Sequence, residues 1–395
     1  MGNAANAPAY RRNIYARSAI VDPYPHYARL RQRGAVVWLP RQRVYALPRY
    51  AECKAALRDD GRFASGQGVA LNALTNRLSR GTTLNSDGTD HDRRRRLLAH
   101  RLTPKALRSM AEAIDRQAAA VVEAAVARRH IDGVRDVATA LPVAVVPDLV
   151  GWPEQGREHL IDWAGATFDS LGPLNRQWLR TMPAALSMLR FSRRVVRDRA
   201  VLPGSMGDDV LNAADAGEVP RAECPALMID YLAPSLDTTI SAISSALHLF
   251  ATHPDQWQAL REDPSLVANA VNEVVRLESP LRAFSRKAVT DVELGGSLIP
   301  RDSRILVIYA SANRDEREWD DPDSFDITRD VNRHLGFGYG THGCAGQGLA
   351  RLESQAILRE LAARVERINL TGEPIWAVNN IIHRYQRLPL ELVPA

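Results

Sequence analysis

Along most of the chain, apolar residues recur at a spacing of three and four, which is the period of an amphipathic helix. A short helix is predicted at 27–31, after the prolines at positions 23 and 25. Longer helices are predicted at 51–58, 94–102, 104–129, 155–168, 184–199, 220–252, 254–262, 265–278 and 346–365. The pattern therefore predicts a mainly α-helical protein.

Strand signals are few and short. The segment 34–39 followed by 44–47 predicts a hairpin. Further strands are predicted at 286–294, 304–308, 368–370 and 388–393. Because no repeat, low-complexity tract or long Ser/Gly/Pro linker divides the sequence, we expect one domain over residues 1–395, mainly α with small β-sheets.

Cysteine content and the longest apolar segment restrict the cellular location. The chain of 395 residues has three cysteines, too few for a disulfide framework, which favours a reducing, cytoplasmic location. Residues 1–12 are polar and lack the apolar run of a signal peptide. The segment 227–250 is interrupted by Asp230, Pro234 and Asp237, so it predicts a core helix and no membrane anchor.

The charge distribution argues against nucleic acid as a partner. The formal net charge is +5, but the 51 basic residues are spread among 46 acidic ones. Only Arg93–Arg96 forms a run. Arg93, Arg94, Arg96 and Arg101 are expected on one helix, either as a solvated face or as a docking patch for an acidic protein.

Candidate chemistry is concentrated at 334–351, where Cys344 lies on a glycine-rich loop that leads into a predicted helix. Free N–H groups at a helix start favour a thiolate, and the glycines allow the backbone to lie against a large flat group. Haem fits that description. The alternative is an inert buried cysteine. Zinc is disfavoured because Cys53 and Cys224 are distant and form no Cys-x-x-Cys motif.

The pattern Phe337-Gly-x-Gly-x-His342-x-Cys344-x-Gly346, followed by Leu-Ala-Arg, resembles the haem-binding signature of cytochromes P450 position by position. The resemblance implies the cytochrome P450 fold. It also implies haem b as the cofactor, with Cys344 as the ligand of the iron and with Phe337 and Gly346 in contact with the haem.

Three further residues match the family's buried ion-pair triad. Glu273 and Arg276 resemble its Glu-x-x-Arg motif, and Arg329 matches the third member. The spacing alone would equally describe a surface pair. By resemblance, all three have a structural role behind the haem.

The segment 232–239 resembles the oxygen-activation segment of the same family. By resemblance, Asp237 is the acid and Thr238 the alcohol that relay protons. The sequence departs from the family at Pro234 and Ser235, where Ala-Gly is usual. We expect Pro234 to kink the helix and Ser235 to alter the oxygen and substrate pocket.

Haem propionates require cations or hydrogen-bond donors. His91 and Arg95 match the family's His-x-x-x-Arg pair, and Arg286 matches a strand arginine that contacts a propionate. His342 is expected to do so from the cysteine loop. Each could instead be an ordinary solvated charge.

The resemblance to bacterial, soluble P450s covers nearly the whole chain and is strongest to enzymes that oxidise para-substituted benzoic acids. In that subgroup polar residues, including an arginine, hold the carboxylate; Gln67 aligns with the arginine and Asn72 with a serine. This difference favours a compact, largely neutral aromatic substrate. The other residues expected to line the substrate pocket are Ala70, Leu71, Phe168, Leu171, Ser235, Leu281 and Phe284.

The resemblance implies a monooxygenase that uses O2 to hydroxylate or O-dealkylate a small organic substrate. No flavin or iron–sulfur motif occurs, so electrons are expected from a ferredoxin, of the [2Fe-2S] type, with its NAD(P)H-dependent reductase. Two alternatives remain open at this point. They are a peroxide-driven oxidase with the same haem and a haem-binding protein without turnover.

Overall fold

A computed structural model describes residues 7–395. The predictions about a signal peptide and about a single domain also include residues 1–6, which lie outside the described residues. The helices in this range are α1 Arg17–Val21, α2 Tyr24–Arg33, α3 Tyr50–Arg58, α4 Ala73–Leu78, α5 Gly88–Ala99, α6 Pro104–Arg128, α7 Ala140–Val150, α8 Leu160–Ser170, α9 Arg176–Asp198, α10 Met206–Asp215, α11 Cys224–Thr252, α12 Pro254–Glu262, α13 Val267–Leu277, α14 Tyr309–Ala312 and α15 Gln347–Arg364. A π-helical segment, Val134–Ala138, precedes α7.

The strands form small sheets at the edge of the helical body. They are β1 Val37–Leu39, β2 Val44–Leu47, β3 Phe63–Ala64, β4 His130–Asp132, β5 Phe284–Ala288, β6 Val292–Leu294, β7 Ser297–Ile299, β8 Arg304–Val307, β9 Val365–Leu370, β10 Ile375–Trp376, β11 Tyr385–Arg387 and β12 Pro389–Pro394. The largest sheet has the order β1-β2-β8-β5-β3, and a second has the order β4-β12-β9. β10 pairs with β11, and β6 with β7.

The prediction of a mainly α-helical protein with small sheets is confirmed, and the differences lie at element ends and in elements that were not predicted, among them the helices α1, α4, α7, α10 and α14. α9 begins eight residues before the predicted start, because the Asn175 side chain accepts a hydrogen bond from the Trp178 N–H and caps it. The predicted strand at 286–294 is divided into β5 and β6 by a bend at Thr290. The hairpin of β1 and β2 is present, with Val37 opposite Ala46.

Two helices were missed for identifiable reasons. α7 has the sequence ALPVAVVPDLV, which is apolar on nearly every side and contains two prolines, so no amphipathic period is visible. α10 is short and begins at Met206, directly after a Ser205 cap whose hydroxyl accepts from the Asp208 N–H.

Helix α11 crosses the centre of the molecule, and 20 of its 29 residues are buried. Pro234 stands inside it, yet the helix continues without a break. Two hydroxyl groups bond to carbonyls one turn earlier: Ser235 Oγ donates to Tyr231 O at 2.7 Å, and Thr238 Oγ1 donates to Pro234 O at 2.6 Å. Within residues 7–395, none of the helices combines the length and the apolar character needed to cross a bilayer.

Glu353 on α15 is fully buried, and neither carboxylate oxygen has a hydrogen-bond partner among residues 7–395. Burial raises the pKa of this carboxyl to about 8 from 4.5. Between those pH values the folded protein holds a proton that the unfolded chain has released. The free energy of unfolding should therefore fall as the pH rises from 4.5 through 8, by on the order of a few kcal/mol.

Urea unfolding of the wild type and of Glu353→Gln between pH 5 and 9 measures this effect. The variant should lose the decline, whereas Glu112→Gln, at a side chain that is 92% exposed, should keep it. Parallel curves for the wild type and Glu353→Gln would contradict the assignment of the decline to Glu353.

Candidate active site

A cavity of about 360 Å³ lies between the middle of α11, helices α8 and α9, strand β5 and the loop that carries Cys344. Its wall is predominantly apolar. The predicted site residues that line it are His91, Arg95, Phe168, Leu171, Ser235, Thr238, Leu281, Phe284, Arg286, Phe337, His342, Cys344 and Gly346. The structure thus brings together residues from distant parts of the sequence.

The loop before α15 places Cys344 three residues ahead of the first helical residue, with its side chain in the cavity wall. Its own N–H donates to Phe337 O at 2.8 Å, which closes the loop. Burial raises the pKa of the Cys344 thiol, while backbone N–H groups of Gly346 and Gln347 oppose the rise. The charges of Arg95 and Arg351 also oppose the rise, and a bound iron ion would supply the further positive charge that stabilises a thiolate here.

The glycines of this loop serve two purposes. Gly336, Gly338, Gly343 and Gly346 line the cavity, as expected if a large flat group lies against them. Gly340 has a different role, because a Cβ atom there would lie 2.5 Å from Leu57 O and its φ is +70°. That position packs against α3 and is absent from the cavity wall, which corrects the prediction that all the loop glycines face the ligand.

Cationic and hydrogen-bonding side chains meet at one edge of the cavity. The rings of His91 and His342 are 4.4 Å apart, and Arg95 Nη2 donates to Gly343 O at 2.8 Å. Arg286 is 3% exposed and reaches the same wall from β5. His91 Nε2 is buried without a hydrogen-bond partner in the part of the chain that the structure describes. An unpaired nitrogen among cations fits the propionate edge of a haem.

Asp87 was missed by the sequence analysis. Its Oδ1 lies 3.3 Å from His342 Nε2, and its two oxygens accept hydrogen bonds from the Ser65 and Gly66 N–H groups. Burial acts to raise the pKa of Asp87, but the hydrogen bonds from His342, Gly66 and Ser65 together lower it. The carboxylate therefore orients His342 and joins the segment after β3 to the cysteine loop.

The predicted triad is assembled and buried. Arg276 Nε and Nη2 lie 2.6 and 2.8 Å from the two oxygens of Glu273, and both side chains have no exposed surface. Arg329 Nε lies 3.4 Å from Glu273 Oε1. Val271 and Val275, on the same helix as Glu273, line the cavity. The triad therefore stands behind the cavity wall.

Asp237 and Thr238 are neighbours on α11 with different surroundings. Thr238 lines the cavity, whereas Asp237 is fully buried outside its wall. Arg384 Nε lies 2.6 Å from Asp237 Oδ1, an ion pair that no local sequence pattern predicts. Burial raises the pKa of Asp237, and Arg384 opposes the rise. The carboxyl must turn away from Arg384 to reach the cavity.

Four predicted substrate residues lie outside the cavity wall. Gln67 is exposed, and its carbonyl accepts from Arg304. Asn72 caps α4 by accepting from the Thr75 N–H, and it also donates to Ser170 O and Gly172 O. Ala70 is packed in a small apolar cluster, and the Leu71 N–H donates to Leu171 O. These placements correct the assignment of Gln67 and Asn72 by alignment, and of Ala70 and Leu71 as apolar lining residues, to the pocket.

Four arginines were expected on one helix as a solvated face or a docking patch, but Arg93, Arg94 and Arg96 lie on α5 and Arg101 lies just after it. Arg94 is 5% exposed and bonds to Glu223 at 3.0 and 2.9 Å. Arg101 is paired with Asp209. Arg96 remains exposed. A basic docking patch on this helix is therefore smaller than expected.

Similarity to known proteins agrees with this geometry. The model of the family described as "Cytochrome P450" matches residues 203–364 of this chain. The chain is 36% identical to cytochrome p450 CYP199A2 of Rhodopseudomonas palustris over 100% of its length and 96% of that protein. It is 31% identical to the cytochrome P450 monooxygenase PikC of Streptomyces venezuelae, over 98% and 95% of the two chains.

Solved structures give the same result. The structure of CYP268A2 from Mycobacterium marinum, in complex with pseudoionone, superposes with a TM-score of 0.88 at 26% identity and covers 98% of this chain and 99% of that one. The structure of CYP109Q5 from Chondromyces apiculatus gives 0.82 at 29% identity, over 98% and 99%. The haem predicted from the cysteine loop is thus haem b with a cysteine thiolate ligand, and the chain belongs to the cytochrome P450 family of monooxygenases.

Proposed function

We propose that this chain uses O2 to hydroxylate or O-dealkylate a compact aromatic substrate, with electrons from a separate ferredoxin and reductase. The observation that carries the proposal is the position of the apolar cavity. It lies between Cys344 and the α11 segment with Thr238, and aromatic and aliphatic side chains close its far side. Haem bound at Cys344 would supply the iron at which O2 is activated and an oxygen atom is transferred.

In this proposal some cavity residues bind the haem and others bind the substrate. His91, Arg95, Arg286 and His342 hold the propionates by charge-assisted hydrogen bonds. Phe168, Leu171, Leu281 and Phe284 exclude water and hold the substrate ring. Phe337 and Gly346 lie against the cofactor, and Ser235 adds a hydroxyl near the substrate.

Proton supply is assigned to α11. In this proposal Thr238, whose Oγ1 donates to Pro234 O and which lines the cavity, passes a proton into the cavity, and Asp237 is the acid that replenishes it. This pair favours O2 over peroxide as oxidant, because hydrogen peroxide brings its own protons. We retain a single domain, a cytoplasmic location and ferredoxin as the electron donor within this proposal, since the described cysteines are free and no flavin motif occurs.

Spectral titration of the haem-loaded protein against aromatic acids, phenols, aryl ethers and terpenoids tests the substrate class. Binding of a fitting ligand in the cavity would change the spin state of the haem iron, which the absorption spectrum reports. Aryl compounds should give the strongest shifts, and with NAD(P)H, ferredoxin and reductase they should be oxidised. Oxidation with peroxide alone would favour the peroxide-driven alternative, and tight binding without any product would favour a non-catalytic haem protein.

A further inference from the structure

Asp230 lies in the cavity wall on α11, two helical turns before Thr238. Among residues 7–395, it is the one acidic side chain that lines this cavity. The residue keeps part of its accessible surface, in contrast to the fully buried Asp237. Its carboxylate thus belongs to the space left for substrate and has no role in the proton relay described above.

This carboxylate accepts hydrogen bonds but forms no ion pair with the described residues. Asp230 Oδ2 accepts from the Thr83 N–H at 2.9 Å. No lysine, arginine or histidine of the described residues forms an ion pair with it; Arg94, on the neighbouring helix α5, is committed to Glu223. Buried charges are normally paired, because the cost of removing them from water is high. Asp230 is therefore a carboxylate that could form an ion pair with a positively charged ligand.

The positively charged side chains that line the cavity do not pair with Asp230. His91, Arg95, Arg286 and His342 line the cavity without forming an ion pair with Asp230, and the two propionates of a bound haem would neutralise them. With the cofactor in place, the charge that remains in the substrate space is the negative charge of Asp230. The neighbouring polar groups are the hydroxyl groups of Thr82 and Thr83 and the amide of Asn85.

We infer that Asp230 selects a substrate with a cationic ammonium group on a compact aromatic body and disfavours carboxylates. The inference rests on the proposed function, since it concerns the substrate of that same pocket. Residues 230 and 238 are about 12 Å apart along the helix at 1.5 Å per residue. After contact distances at both ends are allowed for, this span accommodates one ring with substituents at opposite positions.

A trio of ligands matched in shape tests the inference. The cation 4-methoxyphenyltrimethylammonium and the neutral 4-tert-butylanisole have the same outline, and 4-methoxybenzoate supplies the anion. None has a free amine that could bind the iron. Calorimetry and spin-state titration on the haem-loaded wild type should give a Kd at least about tenfold lower for the cation than for its neutral isostere, with the anion weakest.

Asp230→Asn removes the charge but keeps an oxygen that can accept from the Thr83 N–H, so the loop that contains Thr83 remains attached. In this variant the cation-to-neutral ratio of Kd should approach one. Asp162→Asn, an exposed position on α8, should leave the ratio unchanged. Equal Kd values for the cation and its neutral isostere in the wild type, or a preference that survives in Asp230→Asn, would overturn the inference.

The pH dependence of binding to the wild type tests the inference even if Asp230→Asn does not fold. Burial raises the pKa of Asp230 to about 6, against the hydrogen bonds from Thr83 and Leu84 and the charge of Arg94. The quaternary probe stays charged at every pH, so its advantage over the isostere should decline in the wild type as the pH falls from 8 to 5. His91 and His342 are the two histidines that line the cavity.

Those two histidines are present in Asp230→Asn as well, so the difference between the two proteins isolates Asp230. An advantage of the cation that is constant with pH in the wild type contradicts the inference. Product formation separates this inference from the proposed function. A protein that oxidises the anisole but ignores ligand charge contradicts the inference alone, whereas one that prefers the cation and never forms product contradicts the proposed function alone.

Discussion

Replacing Arg276 by methionine is expected to lower the free energy of unfolding by about 3–5 kcal/mol. The guanidinium has no exposed surface and donates to both oxygens of Glu273. It also donates to Asn313 O, Pro322 O and Ser324 O. Methionine keeps the volume but removes the two-point partner of Glu273, which retains only the Asp326 N–H and the more distant Arg329, and it removes one donor from each of three carbonyls. Typical domains are stable by only about 5–15 kcal/mol, so the loss is a large share of the total.

Urea unfolding followed by circular dichroism measures this loss. Arg116→Met is the matched control, because Arg116 is 73% exposed and its contact with Glu112 is a surface pair at 3.9 Å. The double variant Glu273→Leu/Arg276→Met should recover part of the stability, since the fully buried Glu273 carboxylate no longer stands without its main partner and the remaining charge, Arg329, is partly exposed. A loss below about 1 kcal/mol for Arg276→Met would show that the triad is not a main support of the site.

Asp237→Asn is expected to reduce O2-driven product formation by about a hundredfold or more, the scale of a lost acid–base group. The amide keeps the size of the side chain but has no proton to release at neutral pH. Reducing equivalents should still be consumed, so the ratio of product to NAD(P)H should fall. Peroxide-driven product formation should change far less, because the oxidant carries its own protons.

The comparison of the two oxidants makes this experiment specific. Asp162→Asn serves as the control for loss of one negative charge on a neighbouring helix. Arg384→Gln frees the Asp237 carboxyl from its ion pair, and it should alter the pH dependence of turnover without abolishing product. Equal loss of the O2-driven and peroxide-driven activities in Asp237→Asn would indicate damage to the site and contradict the relay.

Whether an element or a site residue can be predicted from the sequence depends on whether its contacts are local or long-range. Helical periodicity located α6 and α12 to within one residue, because each presents one apolar stripe to the core. It could not locate α7, which is apolar on nearly every side. The cysteine loop was recognisable because its glycines and Cys344 are close together in the sequence.

Long-range side-chain partners were the principal omission. Arg384 and Asp237 are far apart in the sequence, and neither residue carries a local signal of the other. Asp230 was noted as an interruption of an apolar segment, and that polar position within a buried helix was the available sign of a binding role. Gln67 and Asn72 were placed by alignment, but a side chain of that loop can turn either to the cavity or to solvent, and only the packing decides which.

The central claim is that Cys344 holds haem as a thiolate in this cavity. The absorption spectrum of the reduced protein with carbon monoxide, recorded for the wild type and for Cys344→His, tests it most directly. The wild type should give the long-wavelength Soret band of a thiolate-ligated haem, and Cys344→His should give the shorter-wavelength band of a histidine-ligated one. A thiolate band that persists in Cys344→His, or a wild type that lacks it when fully loaded with haem, would contradict the account.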